Sequence, residues 1–134
     1  MIKRILILIT LFATVISCDN TKKNPETDVE VATAFVRDIL DNNFKEAEQF
    51  LLMDETNRQY FDRFQQQYHT QDKKKLEKYK DAEIIVNEVS YVTDTICIFN
   101  YSNSYSVQEK TKLKLVRINH HWLVDLKYTF SGNL

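Results

Sequence analysis

The sequence predicts a single α+β domain in which N-terminal helices pack on a four-stranded antiparallel sheet. Three observations carry that prediction. From Thr27 to Lys80 the apolar residues recur at the 3.6-residue helical period; after Asp81 the period changes to 2 and β-branched and aromatic residues take over; and the strand-like runs are joined by links too short for a parallel crossover. Helices grouped before a meander define the class.

Thr27-Asp28-Val29-Glu30 has the spacing of a capping box, with Thr27 as N-cap and Glu30 reaching back to it. Val31, Ala32, Phe35, Val36, Ile39 and Leu40 then fall on one helical face, while Arg37, Asp38 and Asp41 face away. Asn42-Asn43 stops this helix, and Asn43 with Glu46 caps a second whose buried side is Ala47, Phe50 and Leu51. From Asp54, the aromatic punctuation at Tyr60, Phe61, Phe64 and Tyr68 reads as a third amphipathic helix. Thr70 opens a short fourth, Gln71 to Lys80, with Leu76 and Tyr79 as its apolar positions and its lysines on a solvated face.

The four strands are read as Glu83 to Val92, Thr95 to Ser104, Lys110 to Ile118, and a last one in which Trp122, Val124, Leu126 and Tyr128 alternate with Leu123, Asp125, Lys127 and Thr129. Thr93-Asp94 and Asn119-His120 supply short turns, Asn tolerating the positive φ such turns require. Tyr105 to Glu109 reads as a longer loop.

Ahead of the domain stands MIKRILILITLFATVISC: a positive start at Lys3 and Arg4, an apolar run from Ile5 to Ile16, and small Ser17 before Cys18. The run is short of the about 20 residues that span a bilayer core, so it reads as an export signal. Val15-Ile16-Ser17-Cys18 resembles the bacterial lipobox, which implies a lipid on the Cys18 sulfur, cleavage before it, and residence in the bacterial cell envelope. The expected organisation is a signal peptide at 1–17, the lipidated Cys18 and a polar tether at 18–27, one domain at 28–130 and a tail at 131–134.

The formal charge of −1 becomes more acidic once Lys3 and Arg4 leave, which argues against nucleic acid as a partner. Two cysteines, one of them lipidated, leave Cys97 with no internal partner and no disulfide framework. The single glycine, Gly132, excludes a glycine-rich phosphate loop. His120 and His121 are adjacent at a hairpin end and point to opposite faces, which disfavours a shared metal, and His69 ends a helix where a cation is favourable. Asp125 reads as an exposed cross-strand charge pair beside Lys127, and Cys97 as an inert small hydrophobe within Ile96 to Phe99. No catalytic residue, metal or cofactor is expected.

The stretches KYKDAEI opening the sheet, IFNYSNSY in its second strand and HHWLVDLKY closing it resemble small lipoproteins of Bacteroidetes-type bacteria. Those carry a domain related to domain of unknown function 4878, with the cystatin-like fold of nuclear transport factor 2. The resemblance implies a cone, often with a pocket, whose candidate lining here is Tyr60, Phe64, Tyr68, Phe99, Tyr101, Trp122 and Tyr128. It also makes a homodimer plausible. A tethered, non-catalytic module for a small apolar ligand or a protein is the expected function. The alternatives are a small isomerase, dehydratase or hydrolase with an inward carboxylate, and a structural or immunity-type surface protein.

Overall fold

A computed structural model describes residues 23–132, so the leader and Cys18 lie outside the described residues. The elements run α1 (Asp28–Leu40), α2 (Phe44–Glu48), α3 (Glu55–His69), α4 (Lys73–Asp81), β1 (Ile84–Thr93), β2 (Ile96–Asn103), β3 (Ser106–Ile118), β4 (His121–Asp125) and α5 (Leu126–Ser131). The class is α+β with an antiparallel meander, sheet order β1-β2-β3-β4.

The start and end of α1 are decided locally. Thr27 Oγ1 accepts from the Glu30 amide at 3.2 Å, and the Glu30 carboxylate accepts from the Thr27 amide at 3.0 Å, closing the capping box. At the other end Asn42 takes φ +64°, the Asn42 amide donates to Ile39 and the Asn43 amide to Asp38, which satisfies the orphan carbonyls in a Schellman arrangement. The apolar stripe of α1 is buried as its spacing requires.

Arg37 is the departure on this helix. Rather than facing away, it donates to the carbonyls of Ala82 (2.7 Å), Tyr79 (3.0 Å) and Lys80 (3.2 Å), and pairs with Asp41 at 2.8 Å. Arg37 thereby satisfies the C-terminal carbonyls of α4 and pins that helix to α1. It matters because α4 is otherwise weakly held: none of its residues is fully buried, Leu76 and Tyr79 being half-buried. Its N-cap is Asp72, whose carboxylate accepts from the Lys74 amide at 2.7 Å; Thr70 ends α3 instead.

The inward row of the sheet pairs Tyr101 with Thr111, Phe99 with Leu113 and Cys97 with Leu115, and then Leu115 with Val124. Phe99, Leu115 and Val124 are fully buried against Phe35, Val36, Phe44 and Phe61 from the helices. The free edge of β4 is covered by the segment after α2: the Val124 amide donates to Phe50 at 2.7 Å and the Leu52 amide to Val124 at 2.9 Å, a short parallel bridge that blunts an exposed edge. Asn119 and His120 both have positive φ, +49° and +67°, as a two-residue primed turn demands.

Three readings of the β region are corrected. The last strand stops at Asp125, and Leu126 to Ser131 form α5. The Asp125 carboxylate accepts from the Lys127 amide at 3.2 Å as an N-cap, and buried Asn57 on α3 takes the Leu126 amide at 2.8 Å. Those two acceptors satisfy the chain at the helix start and end the ladder. The expected loop at Tyr105 to Glu109 is also absent: β3 begins at Ser106, and Ser104-Tyr105 form a tight turn in which Asn103 Oδ1 accepts from the amides of Tyr105 and Ser106 at 3.0 Å each. Asp125 is buried at 4% exposure rather than exposed, with Lys114 Nζ across the strand pair at 3.6 Å and Lys127 Nζ at 3.8 Å.

Candidate functional site

A cavity of about 220 Å³ opens between the helices and the end of the sheet that carries the Ser104-Tyr105 turn. Its apolar wall is Val36, Ile39 and Leu40 on α1, with Phe64 and Tyr68 one turn apart on α3 and Gln67 between them. From the sheet come Tyr101 and Asn103 on β2 and, at alternate positions of β3, Glu109, Thr111 and Leu113. Tyr79 of α4 and Thr129 and Phe130 of α5 complete the wall. The elements that position these last groups are the ones set by tertiary hydrogen bonds: Arg37 holds α4, and Thr129 Oγ1 donates to the Lys112 carbonyl at 2.8 Å to seat α5 on β3.

The wall is aromatic, and burial raises the pKa of two of its phenols, Tyr68 and Tyr101. Burial pushes the Tyr101 hydroxyl up to about 12, with a hydrogen bond to Thr111 acting the other way. Burial likewise raises Tyr68, whose hydroxyl donates to the Leu40 carbonyl at 3.0 Å. Around the mouth, Lys75 Nζ stands 5.5 Å from the Tyr79 ring centre and Lys78 Nζ 4.7 Å from that of Tyr105. Lys75 is held above its ordinary pKa, first by its hydrogen bond with Tyr79 and, more weakly, by the Glu109 charge.

Of the seven aromatics expected to line a pocket, the structure brings together Phe64, Tyr68 and Tyr101. Phe99 is fully buried beneath them in the core. Tyr60 stacks on Phe130 at 4.9 Å and so supports the wall from behind, while Tyr128 is half-buried on α5 and off the wall. Trp122 lies at the opposite end of the sheet, where the Arg117 guanidinium is 6.0 Å from its ring, beside a larger open cleft that also takes in His120, His121, Tyr91 and Asp28. Sequence reasoning missed Tyr79, Glu109, Thr111 and Phe130. For Glu109 and Thr111 the signal was present, since EKTKLKL alternates cleanly, but placing a loop at Tyr105 to Glu109 cut Glu109 off from that register.

The remaining candidates sit outside the cavity. Cys97 is completely buried, and burial, reinforced by the Asp28 carboxylate beside it, pushes its thiol up to about 12, so at neutral pH it is a small hydrophobe and not a nucleophile. His69 shares a hydrogen bond of 2.9 Å with Asn42 Oδ1 and packs edge-on against Phe44. Among the described residues no cluster of three or more His, Cys, Asp or Glu side chains is placed to hold a metal ion, and no helix is long and apolar enough to cross a membrane. Comparison of the chain with family models, with characterised proteins and with solved structures returns no match.

Proposed function

We propose that this protein is a lipoprotein of the bacterial cell envelope, tethered through Cys18, whose domain is a non-catalytic binding module that takes a small ligand in the cavity between helices and sheet. The cavity wall carries the reading: it sets aromatic rings and a few polar groups around about 220 Å³. The anchor rests on the leader, with Lys3, Arg4, the apolar run and the Ser17-Cys18 junction. A tether keeps a binder at high local concentration beside membrane partners, which suits recognition better than turnover of a soluble substrate. Helices grouped on one face of a four-stranded antiparallel sheet, with a cavity between, also fit the cone of the nuclear transport factor 2-like fold; that likeness speaks to architecture and leaves activity to the site. Association of two copies through the sheet belongs to the same proposal.

Glu109 favours one alternative. It is the carboxylate on the cavity wall, and an acid–base enzyme of the same fold would use such a group. Its exposure at the mouth leaves it in water, which weighs toward binding. Two experiments test the proposal. A fatty-acid analogue should label the wild-type chain in its host and not the Cys18→Ser variant; label retained by that variant removes the anchor. The purified domain should show no hydrolysis or isomerisation above background; turnover that Glu109→Gln abolishes without loss of fold replaces the binding reading with the enzymatic one.

A further inference from the structure

We propose that the cavity selects a small organic cation, an ammonium carrying apolar substituents, an inference that rests on the binding-module reading and narrows it to a chemical class. The argument begins with the parity of β3. In EKTKLKL the alternation sends Glu109, Thr111 and Leu113 to the cavity wall and keeps Lys110 and Lys112 off it. Among the described residues Glu109 is therefore the one charged side chain on the wall, in a strand where lysine is the commonest residue nearby.

The rest of the wall suits a positive guest. Phe64, Tyr68, Tyr79, Tyr101 and Phe130 bring five rings to one small space, and a ring face is the negative end of its quadrupole. The Tyr68 hydroxyl is spent on the Leu40 carbonyl. Rings at the mouth already attract cations of the chain itself, Lys75 over Tyr79 and Lys78 over Tyr105. An anion would meet Glu109 on the wall, and the nearest cations, Lys75 and Lys78, are already engaged with Tyr79 and Tyr105. A purely apolar guest would make no use of the one carboxylate that the strand's alternation brings to the wall. At about 30 Å³ for each water displaced, the 220 Å³ cavity holds the equivalent of about seven waters, enough for a trimethylammonium head and a short arm but not for a peptide.

The test uses choline and its uncharged carbon isostere 3,3-dimethylbutan-1-ol, titrated separately into the full described domain and followed by NMR. Choline should bind at least about tenfold more tightly, a factor within reach of desolvated cation–π contacts, and should shift the resonances of Tyr101, Thr111 and Phe130. Glu109→Gln should erase most of that preference while leaving the isostere's affinity unchanged, and Lys75→Met should strengthen choline binding by removing a competing cation. Equal binding of the two probes overturns the cation inference and leaves the cavity a binder of apolar ligands. Failure of both probes at millimolar concentration overturns the cavity as a small-molecule site. Choline binding that Glu109→Gln does not weaken also overturns the proposal, because the carboxylate is then a bystander.

Discussion

The two ends of the inward-facing sheet row are built from similar residues and finished differently. At one end Cys97, Leu115 and Val124 are sealed under Phe35, Leu51 and the strap that bridges to β4; at the other, Tyr101 and Thr111 face open space under Tyr68, Tyr79 and Phe130. Phe99 sits between them, with its ring 6.0 Å from that of Tyr101. What separates the ends is the cover. The sealed end is closed by backbone hydrogen bonds to an edge strand, whereas the open end lies under α4 and α5, helices of nine and six residues seated in part by side-chain hydrogen bonds from Arg37, Asn57 and Thr129. None of the residues of α4 is fully buried, so that helix brings no core side chain to fill the space beneath it.

The largest expected effect is at the packed centre of this row, where the sealed half begins. Phe99→Ala should cost ~3–5 kcal/mol, because a completely buried ring is removed where neighbours cannot collapse. Tyr101→Ala, one pair along the same row, should cost less, ~2–3 kcal/mol, because part of that ring already borders open space. Urea denaturation of both variants measures the contrast, and equal losses would show that the open end is packed as firmly as the closed one.

A smaller effect tests the cover. Asn57 is wholly buried, its Oδ1 accepting from the Leu126 amide and its amide nitrogen donating to Asp54 at 3.2 Å. Asn57→Ala should cost ~1–3 kcal/mol for the unsatisfied Leu126 amide, and should raise amide exchange in residues 126–131 well before that of β2. Uniform exchange across the domain would show that α5 opens only with global unfolding.

The smallest effect concerns the ion pair beside that junction. Lys127 Nζ bonds Asp54 at 2.7 Å, which lowers the Asp54 pKa, together with the Asn57 amide, and raises that of Lys127. A depressed carboxylate contributes stability that is present above its unfolded value and lost as pH falls through the folded one; a raised lysine contributes stability that is lost as pH rises through its folded value. Both groups are more than a third exposed, so the effect is modest. Stability from this pair should be flat across neutral pH, falling below about pH 4 and again above about pH 10. Asp54→Asn should flatten the acid limb; an unchanged limb in thermal melts would assign it to other carboxylates.

Helix α1 and its end were legible because their signals are local, whereas Asn43 makes no side-chain cap on α2, α2 stops at Glu48 ahead of Phe50 and Leu51, and Asp72 rather than Thr70 caps α4. The Thr27 and Glu30 box, the Asn42-Asn43 stop and the Val31 to Leu40 stripe all act within one or two turns of chain, and each is where the spacing places it. The hairpin at Asn119-His120 was legible for the same reason. The last strand was not, because Trp122-Val124-Leu126-Tyr128 alternates as a strand should, and the acceptor that ends the ladder is a side chain sixty-nine residues away in sequence. Asp125 was read from its nearest neighbour Lys127 as exposed, whereas it is buried and pairs across the sheet with Lys114 as well. Of the cavity, Phe64, Tyr68 and Tyr101 could be named from aromatic spacing alone; Tyr79 was read as an apolar position of its helix without sign of facing a cavity, and Phe130 lies on α5, which the strand-like alternation hid.

By itself, then, the sequence determined the order and type of most elements, the antiparallel meander and the leader pattern ending at Cys18, all of which follow from periodicity and capping over a few residues. Tertiary structure alone decided that Arg37 closes α4, that Asn57 turns the chain into α5, and that Glu109 rather than Asp125 is the carboxylate on the cavity wall. The reason is range: hydrogen bonds and packing between segments far apart in the chain are set by how the layers meet, and a half-buried polar residue carries no mark of which partner it will find.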